Sequence, residues 1–277
     1  MRCAWNELIA ILPVWLRQDV DLMGRDNLQE LRLRINAPPE LVLAGKSKWL
    51  TRMVTLEDLN QCINSASRYS PWNAETAAKG YITAPGGHRI GLCGEVVCRE
   101  GQMTGVRNLT SVCIRIARDF PGIAKGETYK GSVLIIGAPG WGKTTLLRDL
   151  IRQISDSGEH VAVVDERGEI FPGAGAFARG KCTDILTGCR KDVGIEAVLR
   201  TMGPECIAVD EITSHEDCTA LLRAGWCGVR LIATAHAGSL TDFRSREVYK
   251  PLVEQRLFST ILVMKKDKSW IRERMDL

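Results

Sequence analysis

The sequence has no C-x-x-C pair, no apolar run long enough to cross a bilayer, no internal repeat and no low-complexity tract. The first absence argues against a zinc module and leaves no metal cluster expected, although ten cysteines are present. Several of these, Cys113 and Cys206 among them, sit inside apolar strand-like runs, where a free thiol packs as a small core residue. That usage predicts a reducing, cytoplasmic setting. The lack of a long apolar run argues against a membrane-spanning helix. Residues 8–16 are apolar enough to resemble the core of a signal peptide. Glu7 precedes them, Pro13 interrupts them, and no small-residue cleavage site comes before Arg17-Gln18-Asp19, so the stretch predicts a short core helix. Aromatics make up 6% of the chain, and no aromatic-basic groove is legible, so nucleic acid is not an expected partner. The net charge is +4. Residues 1–125 hold 16 Lys/Arg against 12 Asp/Glu and the remainder 21 against 21, so the whole excess lies in the N-terminal half.

What is present centres on residues 132–155. Gly137-Ala138-Pro139-Gly140-Trp141-Gly142-Lys143-Thr144 follows the pattern G-x-x-x-x-G-K-[ST]. Val133 to Ile136 reads as a buried strand before it. Thr144 to Ile154 has helical spacing after it, with Leu146, Leu147, Leu150, Ile151 and Ile154 on one face. Strand, glycine-rich loop and helix make a phosphate-binding loop, whose backbone N–H groups and helix N-terminus suit phosphate oxygens. Residues 137–145, through Thr145, are the expected nucleotide contacts. Lys143 would contact the β- and γ-phosphates, and Thr144 would place its hydroxyl on Mg²⁺.

Three further strand-like runs deliver polar residues at their ends. His160 to Asp165 ends in Asp165-Glu166-Arg167. Cys206 to Val209 is followed by Asp210-Glu211, a Walker B pattern in which Asp210 holds the Mg²⁺ shell and Glu211 activates water. Val229 to Thr234 leads to His236, a candidate γ-phosphate sensor, although a lone histidine is more often structural. In an open parallel sheet the carboxyl ends of strands are where ligands bind. Helices are predicted over residues 192–202, capped by Asp192, over 214–225 with a Ser214/Asp217 capping box, and over 239–257. Residues 171–181 read as a loop, 259–264 as a last strand, and the tail as its hairpin partner.

Residues 1–125 alternate strand and helix patterns without a phosphate-loop feature. Strands are predicted at 28–35, 41–43, 81–83, 88–92, 95–98 and 112–116, with a helix at 55–67 capped by Thr55 and Asp58. This is an α+β pattern with a small antiparallel sheet. The Pro/Gly-rich residues 119–127 read as a linker, giving domains at 1–125 and 126–277. For Arg89, Arg107 or Arg115 taken singly, the ordinary reading is a surface arginine. The functional reading has Arg89 or Arg115 reaching a nucleotide held by a neighbouring subunit.

The runs GIEAVLRTMGPECIAVDEI and LLRAGWCGVRLIATAHAGSL resemble the ATPases of type II and type IV secretion and of type IV pili. The matching positions are residues 137–145, 165–169, 210–211 and 235–236. LQELRLRINAPPELVL, GYITAPGGHRIGLCGEV and VVDERGEI resemble the stage III sporulation protein AA family. The resemblance implies a RecA-like P-loop sheet behind a smaller N-terminal α+β domain, with the fourth strand inserted between the phosphate-loop and Walker B strands. It implies that ATP is hydrolysed with Mg²⁺, with Glu211 as the first choice of water activator and Glu166 the second. It further implies a hexameric homo-oligomer, docked on membrane proteins on the mother-cell side and energising a secretion-like complex between mother cell and forespore. Asp210 stands where many secretion ATPases carry Gly, and no four-cysteine module is present. The competing readings are a nucleotide-dependent switch or assembly scaffold with little turnover, and a nucleic-acid motor. Two candidate bases beside the phosphate loop argue against the first, and the near-neutral P-loop half argues against the second.

Overall fold

A computed structural model describes residues 1–43, 45–67, 78, 80–173 and 176–275. The chain forms two compact units. The first is Met1–Asp119 with Pro172–Phe177, and the second is Phe120–Phe171 with Ala178–Leu277. The division at 119/120 falls inside the Pro/Gly-rich stretch that reads as a linker. Residues 120–124 go with the second unit because the buried Asp149 carboxylate accepts from the N–H groups of Gly122 and Ala124, each at 2.8 Å. The short segment 172–177 packs into the first unit at a glycine. A Cβ on Gly87 would lie 2.3 Å from the Pro172 carbonyl oxygen, so only a hydrogen fits there.

The first unit holds helices α1 (Trp5–Ile11), α2 (Val14–Met23) and α3 (Leu56–Ser67) and strands β1 (Leu28–Arg34), β2 (Glu40–Leu43), β3 (Lys46–Trp49), β4 (Tyr81–Thr83), β5 (Arg89–Arg99) and β6 (Gln102–Arg115). The strands make one antiparallel sheet in the order β3-β2-β1-β6-β5-β4. The expected capping box is formed: Thr55 N–H donates to Asp58, and Asp58 N–H donates to the Thr55 hydroxyl. Two expectations change. Residues 8–16 lie not in one helix but in two, because Pro13 lacks an N–H and instead opens α2 as its N-cap. The separate strands expected at 88–92 and 95–98 are one long β5, which absorbs a bulge at residues 93–95. Its partner β6 starts ten residues before the predicted 112. The core gathers one face of the sheet against the helices, with Leu8, Leu16, Leu31, Leu59, Ile90 and Ile114 buried.

The second unit holds β7 (Val133–Ile136), α4 (Lys143–Asp156), β8 (Val161–Asp165), β9 (Thr183–Thr187), α5 (Lys191–Thr201), β10 (Cys206–Ile212), α6 (His215–Trp226), β11 (Arg230–Ala235), α7 (Leu240–Ser245), α8 (Lys250–Glu254), β12 (Thr260–Met264) and β13 (Trp270–Arg274). Their sheet runs β13-β12-β7-β11-β10-β8-β9. All neighbours are parallel except the β12–β13 hairpin. The fourth strand of the sequence reading is β11, and it does lie between β7 and β10. β7, β8 and β12 are buried along their whole length, as parallel strands covered on both faces must be. Each fully buried Val, Leu or Ile there contributes about 1.5–3 kcal/mol.

The Ser214/Asp217 capping box is present on α6. Asp192 is not the cap of α5: Arg190 takes that position, and Asp192 sits in the first turn, paired with the Arg190 guanidinium at 3.0 Å. The helix expected over 239–257 is broken into α7, a 3-10 turn at Glu247–Tyr249 and α8, which starts around Pro251. Residues 171–181 carry no helix or strand where described; 174 and 175 lie outside the described residues.

Candidate active site

At the carboxyl end of β7 the chain turns through Gly137–Gly142 into α4. Gly140 and Gly142 have φ of 76° and 97°, a region glycine enters without a Cβ penalty. Trp141, half-buried, closes the turn by donating its N–H to the Ala138 carbonyl at 3.3 Å. The 14-residue α4 begins at Lys143, so the unpaired N–H groups of its first turn, with Thr144 and Thr145, border the loop.

Lys143 is buried. Its ammonium donates to the carbonyls of Gly137 at 2.8 Å and Ala138 at 3.1 Å, and lies 3.1 Å from His236 Nδ1. An ammonium has only donors, so Nδ1 accepts and the neutral ring carries its proton on Nε2. That nitrogen stands 3.0 Å from Glu211 Oε1. The other Glu211 oxygen is 3.3 Å from Arg167 Nη1. Lysine, imidazole, carboxylate and guanidinium thus form one hydrogen-bonded path across the carboxyl ends of β7, β11, β10 and β8. Burial pushes the Lys143 pKa below the ordinary lysine range, opposed by the charges of Asp210 and Glu211.

Beside this path the Thr144 hydroxyl donates to Asp210 Oδ2 at 2.9 Å. The fully buried Thr234 hydroxyl donates to the other Asp210 oxygen and accepts from the Glu211 N–H at 2.8 Å. Glu211 has φ of 49°, and the register of β10 on β11 shifts between Val209 and Ile212. A left-handed glutamate costs about 1–3 kcal/mol and persists where its surroundings hold it. Here the bulge brings the carboxylate to His236. A hydroxyl and a carboxylate in contact are hard oxygen donors that fit Mg²⁺, an ion usually held by one or two protein oxygens together with phosphates and water. Among the described residues, no group of three His, Cys, Asp or Glu side chains is placed to hold a metal ion.

The acidic turn after β8 divides its carboxylates between two tasks. Asp165 is buried and accepts backbone N–H bonds from Glu169, Ile170 and Phe171 at 2.8–3.0 Å. Burial raises its pKa, and those three donors counter the rise. Arg148 of α4, also buried, holds the carbonyls of Glu169 and Ile170. Glu166 pairs with the buried Lys191, which also lies 3.8 Å from Asp217. Glu166 lines the cleft shared with Asp210 and Glu211, and its carboxylate is engaged by the Lys191 ammonium.

Arg89 and Arg115 belong to the first unit, where they face each other across β5 and β6. Arg89 lies over the Tyr81 ring at 3.9 Å, and Arg115 is 3.4 Å from Glu30. Arg107 pairs with Glu95 at 2.9 Å. His88 is buried and structural: Nε2 meets the Ala4 carbonyl at 2.8 Å, and Nδ1 accepts from the Ala117 N–H. Sequence reasoning missed Thr234, Arg148, Arg167 and Lys191 as site residues. Arg167 was visible beside the acidic pair and Thr234 at a strand end; nothing in the spacing marks Lys191 or Arg148.

The family model described as "Sporulation stage III, protein AA" matches residues 6–273. The stage III sporulation protein AA of Bacillus subtilis (strain 168) is 37% identical over 281 residues, covering 95% of this chain and 92% of that protein. Among solved structures, the Legionella pneumophila ATPase DotB is similar with a TM-score of 0.61 and 18% identity, over 95% of this chain and 80% of that one. The pilus retraction motor PilT with bound ADP is similar with a TM-score of 0.60 and 17% identity, over 90% and 76%. At such identities the likeness is one of fold, the RecA-like P-loop fold.

Proposed function

The chain belongs to the sporulation stage III protein AA family, and from that membership we propose that it is an ATPase energising a secretion-like complex between mother cell and forespore. The observation that carries the reading is the path from Lys143 through His236 to Glu211, set beside the Thr144–Asp210 contact. Lys143 engages the β- and γ-phosphates of ATP, and the backbone of 137–145 cradles them. Thr144 and Asp210 hold Mg²⁺, which when bound neutralises phosphate charge. Glu211 takes a proton from the water that attacks the γ-phosphorus, and the bond to the ADP oxygen breaks. His236 bridges the two ends: its Nδ1 responds to where Lys143 points, and its Nε2–H orients Glu211.

On this reading residues 126–277 are the P-loop ATPase domain and 1–125 an N-terminal α+β domain. The chain assembles as a homo-hexamer in the cytoplasm, on the mother-cell side, against membrane proteins of the complex. No helix among the described residues is long and apolar enough to cross a membrane. Arg89 or Arg115 supplies a cation to a neighbour's nucleotide.

Glu211→Gln should bind ATP and lose turnover by about 100-fold or more, read by phosphate release beside a nucleotide-binding titration. Wild-type turnover in that variant removes Glu211 from the role. Glu166→Gln should keep most of its turnover, because its carboxylate serves Lys191. Arg115→Ala removes an exposed side chain whose pairing with Glu30 contributes under about 1 kcal/mol, and Arg89→Ala removes the cation stacked on Tyr81. A turnover loss of about tenfold in either, with ATP binding by the isolated subunit unchanged, is the outcome expected of an arginine acting across subunits. If neither variant loses turnover, neither arginine has the role.

A further inference from the structure

We propose that the edge of the parallel sheet opposite the phosphate loop is a second anion site, built to take a phosphate-bearing ligand. A groove of about 670 Å³ opens there, lined by Lys130, Arg256, Arg272 and Arg274 with Ser259 and Thr260. It lies wholly within the second unit. Lys130 comes just before β7 and Thr260 opens β12, which pairs with β7 in parallel. The groove therefore sits at the amino ends of strands whose carboxyl ends carry the nucleotide site. The four residues of β7 separate the two by about 13 Å, so both sites can be filled at once.

The charge is one-sided. Among the described residues four cations line the groove and no carboxylate does. Among the described residues none of the four makes an ion pair. Two described acids close by in sequence are directed elsewhere. Glu127 accepts from the Tyr129 hydroxyl, and Glu273 alternates to the other face of β13 from Arg272 and Arg274. Arg272 lies over the Tyr129 ring at 4.8 Å, a cation–π contact.

Arg256 adds an independent sign. It follows α8 with φ of 50°, and Arg256 and Leu257 return N–H bonds to Val253 and Leu252 at 3.0 and 3.1 Å. This is the helix-ending turn in which glycine is the usual residue. An arginine held in left-handed backbone, at a groove that already carries three cations, is a strain retained together with a repulsion. A multiply charged anion relieves the repulsion. Guanidinium forks match phosphate oxygens two at a time, and four cations in so small a space suit a compact polyanion better than a single carboxylate. That chemistry is offered by a free polyphosphate and by the headgroup of an anionic phospholipid.

The test uses the full chain with Lys143→Ala as background, which takes the phosphate loop out of the comparison. Pyrophosphate is titrated by calorimetry into this chain and into the same chain carrying Arg272→Ala and Arg274→Ala. Vesicles of phosphatidylglycerol or of phosphatidylcholine are sedimented with both. Binding of pyrophosphate that weakens about tenfold or more with the two alanines supports the site and assigns a free phosphate as ligand. Sedimentation with phosphatidylglycerol alone, lost with the same alanines while pyrophosphate does not bind, supports the site and assigns a lipid headgroup. Binding that is equal with and without the arginines, or absent for both probes, overturns it. Arg256→Gly guards against a folding artefact. It should raise the melting temperature by relieving the backbone and still weaken the anion; a raised melting temperature with unchanged binding counts against the site.

Discussion

The two sheets of this molecule treat charge in opposite ways. In the antiparallel sheet of the first unit, one face meets the core and the other is polar. Arg32, Arg34, Arg89 and Arg115 are spread over that polar face, and each has a local partner: Arg32 meets Glu30, Arg34 meets Glu40, Arg89 meets Tyr81 and Arg115 meets Glu30. In the parallel sheet the inner strands β12, β7 and β8 are covered on both faces and apolar between their ends, and polar residues within strands fall mainly on the edge strands β13 and β9. Polar groups collect at strand ends instead. Lys143, Asp165, Glu166, Asp210, Glu211 and His236 all fall at one edge, where Lys143, His236 and Glu211 join in one path and Asp165 and Glu166 are held by their own partners. The comparison teaches that the parallel sheet makes a site by exclusion, whereas the antiparallel one disperses its charges into pairs that mainly serve the surface.

The largest effect should come from the crowded edge. Lys143→Ala removes the cation that joins the phosphate loop to His236, and turnover should fall by about 100-fold or more. Stability should hardly move, because burial already disfavours the charged lysine. Urea midpoints measured beside phosphate release check this. A collapse of stability together with activity would mean that the edge is structural after all, and the contrast between the sheets would fail. Lys191→Met comes next and tests the same edge for a structural member. It leaves Glu166 and Asp217 without their ammonium, and Asp217 also caps α6. Glu166 is partly exposed, so the expected loss is about 2 kcal/mol, below that of a fully buried pair. A loss under about 0.5 kcal/mol would place Lys191 with the dispersed surface charges.

Much of the parallel sheet was legible because its signals are local. The glycines, Lys143 and Thr144 lie within one turn, and Asp210-Glu211 follows an apolar run that can only be a covered strand. The meeting of His236 with both Lys143 and Glu211 was not legible in the spacing of the residues alone. It depends on β11 lying between β7 and β10, and strand order is a tertiary fact that only the family resemblance supplied. The ion pair of Glu166 was not legible for a related reason. Its partner Lys191 is 25 residues away, on a helix start with no pattern of its own. In the antiparallel sheet the hairpin signals placed most strands, yet β3 and the length of β5 and β6 went unseen. Residues 102–111 are polar enough to read as loop and are held as strand by pairing with β5. β9 was missed because an edge strand with exposed alternate residues carries little apolar pattern.

Acid should act with opposite sign on one buried group in each unit, and this is the smallest effect. His88 is fully buried in the first unit, and burial lowers its pKa from 6.5, against the opposing pull of the Ala4 carbonyl and of Glu7. Below pH 6.5 the unfolded chain takes up a proton that the folded unit refuses, so stability present above that pH is lost as pH falls, by up to about 1.4 kcal/mol per unit until the folded pKa is reached. Asp165 is buried in the second unit with its pKa raised above 3.8. There the folded state takes up the proton first, so falling pH relieves a penalty, and stability from this group rises until pH reaches 3.8. Amide exchange corrected for intrinsic rates should show opening free energies at β5 and β6 dropping from pH 7 to pH 5.5 faster than those at β7 and β8. In His88→Gln the pH dependence at β5 and β6 should flatten, because glutamine supplies an amide without a titrating nitrogen. Equal slopes in the two sheets, or a slope at β5 and β6 that survives the substitution, would remove His88 as the acid-sensitive point.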